Sequence, residues 1–448
     1  MRKLSGVHAP HLKNTADVAP QKIPVPAEIV LPMSMHIGAP SKPVVKAGDE
    51  VKVGQMVAEA SGFVSSPVYT GVSGKVKSVE EVEGANGGRS MAVIIASDGL
   101  QTPYEGLTPP VVTTLDEFLG AVRDSGAVGL GGAGFPTAVK LKVEPGKIDT
   151  IIINGAECEP YITSDTRTMI DDVGLIWEGA LMLQKYLGVD NLVIAIEDNK
   201  PEPIKKMREL SAGDNGITVK TLPALYPQGG EKVLIYNITG RTVPEGKLPL
   251  DVGVIVLNCT TVAAIARYIT TGMPLVTKCV TVDGSAVKEP KNLLAPIGTP
   301  VKALFDYCGG FREEPGKVLY GGPMMGIAIP ELSLPVLKST NAVLAFNKKD
   351  AKLPEESACI RCGRCVARCP MELMPFSIET AYKLKKPALL EKYKVNICME
   401  CGCCAYTCPA KRPLVHVMKL SKAMLRDYQA AKKAEEEKKK AKKEAVTE

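Results

Sequence analysis

The sequence predicts a multidomain α/β protein that ends in a small helical domain built on cysteines. Three observations carry this. At 448 residues the chain is long enough for several cores, and its apolar content of 45% is that of folded globular protein. Between residues 110 and 270, continuous β-branched runs alternate with helix-forming stretches. Near the C-terminus, Cys359, Cys362, Cys365 and Cys369 read C-x2-C-x2-C-x3-C before Pro370. Cys398, Cys401, Cys404 and Cys408 repeat that spacing before Pro409.

Taken in order, residues 1–26 carry Pro10, Pro20, Pro24 and Pro26 with little periodicity and read as an extended arm. Residues 27–105 read as all-β, with short Val/Ile runs between glycine turns such as Gly71-Val72-Ser73-Gly74. The pattern resembles a biotinyl/lipoyl-like β-barrel. Residues 61–66, where a carrier lysine would stand, hold none, so the module is read as structural. Residues 110–270 read as a doubly wound, Rossmann-like domain with strands over 150–153, 191–196 and 252–257 and a helix over 172–187. Residues 271–335 return to β character, with a strand running into the Asp283-Gly284 turn and a helix over 301–307. They resemble a β-grasp (soluble-ligand-binding) domain. Residues 351–420 form a ferredoxin-like α domain carrying the cysteines, and 421–448 a charged Ala/Lys/Glu tail with helical propensity and no apolar face.

Several function classes fall away. No stretch holds enough uninterrupted apolar residues to cross a bilayer, since Asn258, Thr260 and Thr261 break the best candidate. Met1-Arg2-Lys3 is followed by no apolar core, which argues against export. The net charge of +6 is mild and no basic stripe is interleaved with aromatics, so nucleic acid is not an expected partner.

The doubled cysteine spacing is the ligand pattern of a protein holding two [4Fe–4S] clusters, in which the fourth cysteine of each run serves the other cluster. Cys359, Cys362, Cys365 and Cys408 are assigned to one cluster, and Cys398, Cys401, Cys404 and Cys369 to the other. Zinc ribbons use two C-x2-C pairs, not triplets with a fourth cysteine and proline, and disulfides need an oxidising compartment. Cys403 is off-pattern and reads as a small non-ligating residue.

Upstream, Gly129-Leu130-Gly131-Gly132-Ala133-Gly134 satisfies G-x-G-x-x-G. Residues 115–124 before it look helical, so this is not the strand-to-helix dinucleotide turn. Its glycines still let backbone N–H groups close on an anion or a flat ring. A second loop, Asn154-Gly155-Ala156-Glu157-Cys158-Glu159-Pro160, follows a buried strand, where open α/β sheets bind ligands. Loops at Tyr226-Pro227-Gln228-Gly229-Gly230-Glu231 and Asn258-Cys259-Thr260 complete the set.

These motifs resemble the flavin-binding subunit of respiratory complex I and related NAD-linked hydrogenases. The whole order of modules resembles the C subunit of the Rnf-type ion-translocating electron transport complex. The resemblance implies FMN contacts at Gly129, Gly131, Gly132, Lys140, Asn154, Glu157, Gly229 and Asn258, and NADH contacts at Phe135, Glu159, Tyr226 and Glu231. The flavin family has Arg at Leu130, Asp at Ala156, Ser at Cys158 and Glu at Gly230. The implied function is an NADH:ferredoxin oxidoreductase subunit passing electrons between NAD(H) and ferredoxin through FMN and two clusters. Its implied place is peripheral, on the cytoplasmic face of a prokaryotic membrane, beside membrane subunits and an iron–sulfur ferredoxin-type subunit. Two other readings stay open at this point: a soluble flavin/iron–sulfur reductase, such as a cobalamin reductase, and an electron relay that does not bind NADH.

Overall fold

The structure, a computed structural model, describes residues 5–213 and 216–447, with side chains through Lys438. It divides into two units. The larger comprises Pro10–Ala224 and Pro249–Lys352, the smaller Met1–Ala9, Leu225–Leu248 and Leu353–Glu448.

The larger unit begins with a β-barrel-like pair of antiparallel sheets. Strands Glu28–Pro32, Arg89–Ser97, Gly74–Glu83 and Glu50–Val51 form one, and Lys42–Pro43, Met56–Glu59 and Val68–Tyr69 the other. Period-two alternation sends Ile29, Leu31, Val93 and Ile95 into a shared core with Val57 and Val72.

A parallel sheet follows in the order Ile217–Leu222, Asn191–Glu197, Thr150–Gly155, Val254–Asn258. Its inner strands are continuous Ile/Val runs, and helices pack on the face that presents Ile151, Ile153, Leu192, Ile194 and Ile196. Val173–Leu187 and Cys259–Thr271 are two of these helices. They approach so closely that a Cβ on Gly179 would lie 2.6 Å from Val262 Cγ1. The strand expected over 252–257 starts instead at Val254, because Gly253 adopts φ +74° after the turn Pro249–Val252. The edge strand Ile217–Leu222 has no counterpart in the sequence reading. Thr218, Lys220 and Thr221 break its apolar run, as an edge allows.

A mixed six-stranded sheet closes the unit, in the order Gln21–Lys22, Lys291–Pro296, Thr277–Asp283, Ala342–Asn347, Pro315–Tyr320, Ile327–Ala328. Its core gathers Val280, Val282, Leu293, Phe305 and Val343. The N-terminal arm is sewn onto these elements. The Tyr161 N–H donates to the His11 carbonyl (3.0 Å), Asn292 Nδ2 to the Thr15 carbonyl (2.9 Å), and an Arg167 guanidinium N–H to the Ala16 carbonyl (3.0 Å).

In the smaller unit, helices Pro375–Lys383, Pro387–Lys392 and Leu414–Thr447 pack around Leu373, Ile378, Leu390, Val395, Met418 and Leu425. The long last helix covers the tail expected to be helical. Among the described residues, no helix is long and apolar enough to cross a membrane.

Candidate functional site

Parallel pairing places Asn154 directly beside Asn258 at the carboxyl ends of adjacent strands. Asn258 Oδ1 caps the helix Cys259–Thr271 by accepting from the Thr260 and Thr261 N–H groups (3.0 and 3.3 Å). Its Nδ2 donates to Asp165 (2.7 Å), whose other oxygen accepts from Thr260 Oγ1 (2.6 Å). Asp165 is 6% exposed and was no part of the sequence reading. Asn154 Oδ1 accepts from the Ala156 N–H at 3.1 Å and turns the chain into the next loop.

That loop uses both its carboxylates internally. Glu157, at φ +47°, accepts from the Asp165 N–H (2.6 Å), the Thr166 N–H (3.1 Å) and the Thr166 hydroxyl. It therefore caps the helix Ser164–Asp171. Glu159 accepts from the Met324 and Met325 N–H groups (3.0 and 2.8 Å), which ties it to the loop 321–326. A Cβ on Gly322 would sit 2.2 Å from Glu159 Oε2, so only glycine permits this approach. Burial pushes the Glu159 carboxyl up to about 7, against the pull of the two amides.

Lys13 of the arm holds this loop from behind. Its Nζ donates to the carbonyls of Glu157 (2.8 Å), Glu159 (2.8 Å) and Ile162 (2.6 Å). Burial draws its ammonium down to about 8, with the Glu157 carboxylate opposing. Nothing in the sequence flags this residue, since its partners lie 144 to 149 positions away.

In the glycine loop, the Gly129 N–H donates to the Phe135 carbonyl (2.9 Å) and the Leu130 N–H to Thr261 Oγ1 (3.0 Å). A Cβ on Gly131 would lie 2.4 Å from Asn258 Nδ2, whereas Gly132 faces open space and is exposed. Phe135 and Lys140 are half-buried on and near the helix Thr137–Leu141. Leu130 is fully buried in the barrel core, which gives a physical reason for an apolar residue there. Its carbonyl accepts from Lys278 Nζ at 3.0 Å. Lys278 had a faint signal: it alternates with Val276, Val280 and Val282 on the buried face of the strand Thr277–Asp283.

Tyr226, Gly229 and Glu231 belong to the smaller unit. Tyr226 is buried, pairs through its backbone with Val7, and donates its hydroxyl to the Cys401 carbonyl at 2.7 Å. A Cβ on Gly230 would lie 2.2 Å from Met399 Cε, so the cysteine loop packs where a side chain would project.

The cysteines form two hollows. Cys359, Cys362, Cys365 and Cys408 line the first. Cys369, Cys398, Cys401 and Cys404 line the second, with Cys403 beside them. Each hollow thus draws three thiols from one run and the fourth from the other run. A four-thiolate donor set with a largely apolar wall suits an iron–sulfur cluster. The glycine loop likewise suits a flavin, since Gly132 leaves backbone open beside Asn154 and Asn258 at the carboxyl end of the sheet.

Four family models match successive stretches of the chain. Residues 2–100 match the RnfC barrel sandwich hybrid domain, 122–267 the Nuo51 FMN-binding domain, 279–328 the SLBB domain and 352–443 a 4Fe-4S dicluster domain. The C subunit of a proton-translocating ferredoxin:NAD(+) oxidoreductase complex from Clostridium ljungdahlii is 44% identical over 83% of this chain and 82% of its own length. The Na(+)-translocating counterpart from Acetobacterium woodii is 45% identical over 83% and 85%. The C subunit of the ion-translocating oxidoreductase complex of Rhodobacter capsulatus is 40% identical over 83% and 73%. Among solved structures, an NAD+-reducing [NiFe]-hydrogenase chain shares the fold, with TM-score 0.50 and 18% identity over 69% of this chain and 63% of its own. By this similarity, the chain belongs to the RnfC family, the C subunits of ion-translocating ferredoxin:NAD+ oxidoreductase complexes.

Proposed function

We propose that this chain is the nicotinamide-linked electron subunit of an Rnf-type complex, an oxidoreductase that exchanges electrons between NAD(H) and ferredoxin. The observation that carries the reading is the joining, in one chain, of a flavin-type site at the carboxyl end of a parallel sheet with two four-thiol hollows. Bound FMN would supply the conversion between a hydride and single electrons, and two [4Fe–4S] clusters the one-electron steps.

The protein's own groups bind and orient. Gly129, Gly131 and Gly132 offer backbone at the flavin, with Asn154, Asn258 and Lys140 as polar contacts. Glu157 holds its loop by capping the following helix, and Lys13 holds that loop's carbonyls. Phe135, Glu159, Tyr226 and Glu231 are assigned to NADH and Gly229 to the flavin. Each Glu159 oxygen accepts one backbone N–H and keeps a lone pair for a ribose hydroxyl. The eight motif cysteines hold the clusters in the crossed arrangement. The domains run over 27–105, 110–270, 271–335 and 351–420.

Ion translocation requires membrane subunits in other chains, since no described helix spans a bilayer. The chain is assigned to the cytoplasmic face of the membrane, peripheral, with an iron–sulfur ferredoxin-type subunit as electron partner. Anaerobic purification should yield about eight irons and one flavin per chain, and the chain should sediment with membranes when its partner subunits are present. Flavin-free, iron-loaded protein that NADH cannot reduce would favour a plain electron relay. A chain that stays soluble beside its partner subunits would favour a soluble reductase.

A further inference from the structure

Among the described residues, four lysines carry an enclosed ammonium in the larger unit, and they are not served equally: Lys200 fills two donors, with Glu197 (3.2 Å) and Asn199 (2.9 Å). An ammonium has three N–H donors. Lys13 fills three with carbonyls. Lys338, 1% exposed, fills three with Ser66 Oγ (3.1 Å) and the carbonyls of Pro67 (2.6 Å) and Gly126 (2.8 Å). Lys278, 2% exposed, has among the described residues one acceptor, the Leu130 carbonyl at 3.0 Å. The nearby Asp165 eases its burial electrostatically, but Asn258 and Thr260 already engage both Asp165 oxygens. A buried cation with open donor capacity is costly unless something anionic completes it.

Lys278 faces a cleft of about 590 Å³, within the range of small-molecule sites. Ala263, Leu275 and Leu294 give it an apolar floor, and Thr260 and Thr168 add hydroxyls. Arg167 and Arg267 stand in its walls, each paired with one acid, Asp171 (2.5 Å) and Asp172 (2.8 Å). The cations of the cleft, with Lys22, outnumber its two carboxylates. Leu130 brings no charge of its own to the glycine loop, so Lys278 is the cation on that loop's backbone.

We propose that Lys278 and the cleft it faces bind a phosphate monoester. A dianion suits an underserved ammonium flanked by hydroxyls and guanidinium groups better than a neutral ligand does. Two sources share this chemistry: the 5′-phosphate of the flavin, or a separate phosphorylated small molecule. The first source rests on the flavin reading above; the second does not.

The test uses the full chain with its clusters, freed of flavin. FMN and riboflavin differ only by the phosphate. If the flavin's phosphate is the ligand, FMN should bind about ten-fold or more tightly than riboflavin. Inorganic phosphate should then compete with FMN, and Lys278→Met should erase the preference while leaving riboflavin affinity unchanged. If a separate molecule is the ligand, AMP should raise the Tm of the flavin-loaded chain, and Lys278→Met should abolish that rise. Wild-type protein with no FMN preference and no Tm response to phosphate or AMP overturns the proposal. So does a cooperatively melting Lys278→Met chain that keeps whichever response the wild type shows. If Lys278→Met does not fold, the wild-type competition and AMP arms decide. A wild type that binds no flavin at all refutes the flavin reading alone, and the phosphate and AMP arms still decide the site.

Discussion

The two cysteine hollows share one spacing and differ in their surroundings. In the first, Cys359 and Cys362 are exposed, and Ile360 between them is 67% exposed. In the second, Cys369, Cys401 and Cys404 are buried. The N–H groups of Leu373 and Glu400 point at the sulfurs of Cys369 and Cys398, each at 3.4 Å. Tyr226, from the loop assigned to the dinucleotide, binds the Cys401 backbone. Spacing decides which thiolates can share a cluster, whereas burial, N–H···S bonds and nearby charge decide how that cluster behaves. The difference teaches that a duplicated motif need not give duplicated sites. The buried hollow packs against the Tyr226 loop through Cys401 and Met399, whereas Cys359 and Cys362 of the other hollow are exposed.

The largest effect that could break this comparison is a crossed loss. Cys408→Ala should remove about half the iron and erase the signal of the exposed cluster, leaving the buried one that shares most of its own motif. Loss of the buried cluster instead would undo the crossed assignment. Lys13→Met is the control from the larger unit. It should weaken flavin binding about ten-fold and cost about 3 kcal/mol of stability, because three carbonyls lose a cationic donor. Iron content should not change; a fall in iron would show that the comparison mixes fold stability with cluster environment.

Arg412→Gln probes the wall of the exposed hollow. Arg412 grips the buried Glu379 through Nε at 2.8 and 3.0 Å. Burial raises the Glu379 carboxyl, but the Arg412 and Lys383 hydrogen bonds outweigh it and hold it below the usual range. A depressed carboxylate stabilises above its unfolded pKa and loses that contribution as pH falls through the folded value. The variant should therefore be less stable by about 3 kcal/mol near pH 7, with the gap closing in acid, as read by melting at several pH values. Oxidant challenge sharpens the contrast without mutation. The exposed cluster should bleach several-fold faster than the buried one in EPR time courses, roughly as solvent access dictates. The smallest effect is that of Tyr226→Phe, which should lower Tm by the equivalent of about 1 kcal/mol and leave the exposed cluster's spectrum unchanged.

What the sequence made legible followed from local pattern. The cysteine runs, the glycine loop, the buried strands over 150–153 and 191–196 and the helix over 172–187 all depend on neighbours within a few residues. Contacts across long separations were not legible. Lys13 meets the Glu157 loop across 144 residues, and Asp165 meets Asn258 across 93. The carboxylates of Glu157 and Glu159 stood out as ligand contacts, yet their shortest bonds serve a helix N-terminus and the loop 321–326. Lys278 sat in plain view on an apolar alternation, but its meaning needed the Leu130 carbonyl and the cleft behind the glycine loop.

The central claim is that one chain joins a nicotinamide-linked flavin to two unlike clusters. An anaerobic redox titration of the purified chain with NADH, followed by visible and EPR spectra, tests it most directly. The account predicts flavin bleaching and two [4Fe–4S] signals that appear at separate potentials and respond differently to solvent-borne oxidant. A chain that shows no flavin reduction by NADH, or one cluster signal in place of two, would contradict it.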